Sequence, residues 1–71
     1  KEVSNDDYLD SAFFYFNRAL QINPYYVQSI HNLGLCYEIK GKIDLAKKYY
    51  QQAIKIDNEF LPSLNALNLL D

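Results

Sequence analysis

The chain has 71 residues, 49% of them hydrophobic and 23% charged, with a formal net charge of −2. This is globular composition, which excludes the sparse hydrophobicity of disordered segments, and the slight negative charge gives no general reason to bind phosphate backbones. One Cys cannot form an internal disulfide, and one Cys with one His cannot supply the three or four ligands of a zinc site, so no metal and no cofactor are expected.

The unpaired thiol points to a reducing, intracellular compartment, read here as cytoplasmic. No apolar run reaches the roughly 18 residues of a membrane span, and the amino terminus lacks a signal-peptide pattern, so no membrane partner is expected. The sequence starts at Lys1 rather than Met, which suggests a fragment of a longer chain.

In chain order, helix one is expected from about Asp6 to Ile22, where Leu9, Ala12, Phe13, Phe16, Ala19 and Leu20 fall at helical spacing. Acids (Glu2, Asp6, Asp7, Asp10) crowd its start, where the helix dipole favours them; that reading is preferred to a metal or acid–base pair. Asn23-Pro24 ends helix one and can open helix two, Asn as the N-cap and Pro in the first helical position. Helix two is expected to run to about Lys40 with Ile30, Leu33, Gly34 and Tyr37 on one stripe, and Gly41 stands where a residue of positive φ closes a helix. Helix three follows from Ile43 to Ile56 with Ala46, Tyr50, Ala53 and Ile54 inward. Asp57-Asn58 turns the chain, and helix four covers Phe60 to Leu70.

Slid along itself, the sequence agrees at an offset of 34 residues: Ala12 with Ala46, Phe16 with Tyr50, Ala19 with Ala53, Leu20 with Ile54, Ile22 with Ile56, Ile30 with Leu64, Leu33 with Leu67 and Leu35 with Leu69. Small and apolar positions recur while polar ones drift, so packing is what repeats. Ile30, Leu33, Gly34, Tyr37, Ala46, Tyr50 and Ala53 resemble the W-x2-L-G-x2-Y…A-x3-F…P pattern of the tetratricopeptide repeat, with Ile30 in place of the aromatic and Asn58 in place of the closing Pro. The resemblance implies an all-α fold of antiparallel helix-turn-helix repeats stacked as a right-handed α-solenoid, about four helices in all. It divides the chain into residues 1–26 as the second helix of a preceding repeat, 27–60 as one full repeat and 61–71 as the first helix of a following one.

Reactive readings are weaker than structural ones. His31 and Cys36 lie five apart on one helix and point about 140° away from each other, so they cannot act as a nucleophile pair, and no third group orients either. Cys36 is read as a small packed side chain. Gly34 and Gly41 are too far apart for a phosphate loop. Lys40, Lys42, Lys47, Lys48 and Lys55 are five cations within sixteen residues, but Glu38 and Asp44 interrupt them. Charge matching between neighbouring repeats is preferred to nucleic-acid binding. Phe14 aligns with Lys48 on a face that should be wet, which suggests a contact on the convex side.

The family resemblance implies a concave groove lined by Gln28, His31, Asn32, Leu35 and Ile39, continued by Asn65 and Leu69, that takes an extended peptide or partner helix. Asn32 stands first among them, since its amide can donate to and accept from a partner's backbone. Pro62 and Ala66 occupy positions where members that clamp a terminal carboxylate carry cations, so that subtype does not fit. The expectation is a non-catalytic protein-binding scaffold. The alternatives are a substrate-recruiting or regulatory segment of a larger enzyme, or a self-associating structural module. The isolated 71 residues are expected to leave apolar stripes open at helices one and four and to self-associate or melt broadly.

Overall fold

The computed structural model describes residues 5–70, as α1 (Asn5–Ile22), α2 (Val27–Ile39), α3 (Ile43–Ile56) and α4 (Leu61–Leu70), with no strand among them. Glu2, one of the acids at the start of helix one, lies outside the described residues. Each helix packs on the next in chain order, as a row of antiparallel helix-turn-helix pairs rather than a closed ball, and the Cα atoms extend over 42 × 30 × 16 Å.

Two kinds of turn build this row. Between α2 and α3 the Gly41 N–H donates to Glu38 C=O and the Lys42 N–H to Tyr37 C=O, with Gly41 at φ 80°. These are the paired bonds of a Schellman motif, which needs a residue free to enter the left-handed region. The second kind occurs twice. Asn23 Oδ1 accepts from the Tyr25 N–H while Asn23 C=O accepts from Tyr26, and one period later Asp57 Oδ1 accepts from the Glu59 N–H while Asp57 C=O accepts from Phe60. Asn23-Pro24 therefore does not open α2 as the sequence suggests. Asn23 caps its own β-turn with Pro24 in the second position, and α2 starts at Val27 behind Tyr26, whose side chain makes no cap bond. Both placements suit Asn-Pro locally; the turn wins because it brings α2 back along α1.

The core lies between α2 and α3. Ile30, Leu33 and Cys36 on α2 and Ala46, Tyr50 and Ala53 on α3 are buried. The close approach is made at Gly34, where a Cβ would stand 2.5 Å from Tyr50 Cε1 and 2.8 Å from its Cδ1. Aromatic rings extend the contact to α1: Tyr37 meets the edge of Phe13 at 4.9 Å and stacks on Tyr49 at 5.2 Å, so it touches the helices on both sides of it. Burial pushes the Cys36 thiol up, which leaves it in the poorly nucleophilic form.

The outer helices differ from the sequence expectation in one respect. Leu9, expected on a partly open stripe, is buried, and the open face of α1 instead carries Tyr8, Tyr15 and Ile22 at seven-residue spacing, all exposed. Ala12 and Ala19 are only half-buried, whereas Ala46 and Ala53 at the matching positions of α3 are fully buried under α2. On α4, Ser63 is buried, Leu64, Leu67 and Leu70 are half-buried, and Leu69 is exposed.

Candidate functional site

His31, Leu35 and Glu38 follow at i, i+4 and i+7 on α2, and Pro62, Asn65, Ala66 and Leu69 at i, i+3, i+4 and i+7 on α4, so each set shares a helix face. The two faces enclose a cleft of about 220 Å³. His31 ties the walls together. Its Nδ1 shares a 2.8 Å hydrogen bond with Ser63 Oγ, in which the donor depends on the imidazole tautomer. Its ring lies 5.1 Å from that of Tyr50 and 5.6 Å from Phe60, edge-on to the latter. Glu38 is held from the α3 side, where Tyr50 Oη donates to Glu38 Oε1 at 2.8 Å. Burial, then that hydrogen bond, push the Tyr50 phenol far above the usual tyrosine range.

Of the residues expected to face the groove, His31, Leu35, Asn65 and Leu69 come together at the cleft. Gln28 and Ile39 are exposed and Asn32 is half-buried, and none of the three lines it. His31 is not a solvated polar residue but a half-buried one packed between two rings. Glu38 was missed as a lining residue because it reads as an acid interrupting a basic run, although its spacing of seven from His31 places it on the same face. Phe14 is 62% exposed and meets the ring of Tyr15 edge-on at 5.4 Å. Two further hollows are open and lie elsewhere: about 490 Å³ beside Lys48, Gln51, Gln52 and Lys55 on α3, and about 310 Å³ beside Ala19, Ile22, Asn23 and Tyr26.

Burial lowers the His31 pKa from its ordinary 6.5, against a smaller upward pull from Glu38. A histidine buried in its neutral form binds fewer protons folded than unfolded. Its penalty is therefore absent above pH 6.5 and grows as pH falls through that value towards the lowered folded one. Melting the wild type at about pH 8 and about pH 5 should show a loss of stability that is smaller in His31→Gln, with equal losses contradicting the assignment. No helix among the described residues is long and apolar enough to cross a membrane.

A family profile described as "Tetratricopeptide repeat" matches residues 27–60, which comprise α2, α3 and the turn before α4. Among curated proteins, the uncharacterized protein ycf37 of Guillardia theta is 38% identical over 63 residues, covering 86% of this chain and 34% of that protein. Protein O-mannosyl-transferase TMTC1 of Homo sapiens is 34% identical over 55 residues, 78% of this chain but 6% of its own length. An uncharacterized protein of Methanocaldococcus jannaschii is 29% identical over 56 residues, 79% of this chain and 65% of that protein. The chain thus spans about a third of the Guillardia theta relative and a small part of the human one. No solved structure matches the chain.

Proposed function

Because residues 27–60 match the tetratricopeptide repeat profile, we propose that this chain is a tetratricopeptide repeat protein, a non-catalytic protein-binding scaffold whose cleft between α2 and α4 holds an extended peptide or a partner helix. The observation that carries this reading is the cleft wall itself. Leu35 and Leu69 stay exposed beside Asn65 and Glu38, which gives a concave surface apolar enough to gain from being covered and polar enough to orient what covers it. Gln28, Asn32 and Ile39 extend the same surface of α2, the last of them 67% exposed. In this reading α1 has the form of the second helix of a repeat and α4 that of a first helix, with unit boundaries at 26/27 and 60/61.

The likeness to a short segment of a transferase supports a second reading, in which the same groove recruits a substrate or regulator for an enzyme. Both readings are tested by affinity capture with the full-length protein, comparing wild type with Asn32→Ala and with Leu35→Ser. Loss of the same partners in both variants is expected. Identical partner sets in all three would remove the groove from the site.

A further inference from the structure

The two helices that wall the cleft contain one ionic side chain between them. α2 reads VQSIHNLGLCYEI and α4 reads LPSLNALNLL, so Glu38 is the sole Asp, Glu, Lys or Arg on either. We infer that the cleft takes a partner segment that sets a lysine or arginine against Glu38 while an adjacent apolar side chain lies on Leu35 and Leu69. The inference rests on the groove reading above and names the chemistry of its occupant.

Three observations support it. Glu38 Oε1 already accepts from Tyr50, and among the described residues the second carboxylate oxygen has no hydrogen-bond partner. No cation of the cleft walls neutralises it, and the nearest lysine along the chain is turned away: Lys40 Nζ stands 5.6 Å over the Phe13 ring, on the α1 side. His31, at the base of the same cleft, is held towards its neutral form by burial and offers no compensating charge. A half-buried carboxylate in this setting attracts a cation with less screening than on open surface and forms the stronger, charge-assisted kind of hydrogen bond. It also repels a partner's acidic side chains and terminal carboxylate, so the sign of the cleft selects as well as binds. Lys48 and Lys55 of α3 do not reverse that sign, since they line a separate hollow.

The test is selection of short random peptides from a displayed library on the full-length protein, followed by affinity measurement with purified variants. Selected sequences should share a lysine or arginine next to an apolar residue. A selected peptide should bind Glu38→Gln about tenfold more weakly, as befits loss of a charge-assisted bond. Glutamine keeps an acceptor for Tyr50, so an unchanged melting curve would show that the fold is not what was lost, and Glu38→Lys should select acidic peptides instead. Peptides that Leu35→Ser or Leu69→Ser weaken, but that carry no basic residue or bind Glu38→Gln as well as wild type, overturn the cation and leave the groove. Peptides indifferent to Leu35→Ser and Leu69→Ser overturn the groove itself. A dimer of the protein that Glu38→Gln abolishes would assign the cation to a second copy and overturn the separate partner.

Discussion

Gly34→Leu is expected to lower stability by about 1–3 kcal/mol, the usual range for forcing volume into a packed core, read as a fall in melting temperature by circular dichroism. The cause is local. Tyr50 lies over the Gly34 backbone so closely that even a methyl group would meet its ring at 2.5 Å. The ring cannot swing away cheaply, because it is fully buried and its hydroxyl is tied to Glu38. Gly34→Ala therefore sets a gain of up to about 1 kcal/mol in helix propensity against this overlap, and a net loss is expected. The same Ala placed in a Tyr50→Leu background should be neutral or stabilising relative to that background, since the obstructing ring is gone, and the coupling measures the contact directly. A Gly34→Leu variant that melts like wild type would show that α2 and α3 do not meet at this glycine.

The parts of the fold legible in the sequence are those specified by nearby residues. The start of α3 at Ile43 follows from Gly41, and its buried face follows from Ala46, Tyr50 and Ala53, because small residues at a seven-residue interval around an aromatic suit only one face of a helix. The start of α2 was not legible from Asn23-Pro24 alone, since an N-cap and a β-turn want the same two residue types. The repeat held the answer: Asp57 to Phe60 make the same turn as Asn23 to Tyr26, and the serines two residues into the following helices, Ser29 and Ser63, are both buried. The cleft was legible in outline through His31, Leu35, Asn65 and Leu69. What His31 does there was not, because its hydrogen-bond partner, Ser63, is 32 residues away and a helix wheel carries no information about a neighbouring helix. Glu38 was hidden for the opposite reason, its charge drawing attention to the lysines beside it in sequence rather than to the face it shares with His31.

Tyr50→Ala is expected to be the most damaging single truncation in the chain. Tyr50 is the largest of the described side chains with 0% exposure, and it bears on both the core and the cleft: its ring covers Gly34 and lies against His31, and its hydroxyl holds Glu38. Removing a buried aromatic costs about 3–5 kcal/mol through lost transfer energy and the cavity left behind. At roughly 0.05–0.15 kcal/mol per residue, 71 residues contribute only a few to about 10 kcal/mol, so the variant should lose a third or more of that, read as a large fall in melting temperature and weaker far-ultraviolet helicity. Tyr50→Phe separates the two roles. It keeps the ring over Gly34 and removes only the hydroxyl, at a cost of about 1.5–3 kcal/mol for a hydrogen bond to a charged group, and it frees the Glu38 carboxylate from that donor. The fold should survive, with Glu38 less well positioned and a basic peptide bound more weakly than by wild type. If Tyr50→Ala instead melted cooperatively within a few degrees of wild type, the α2–α3 contact would not be the core of this domain.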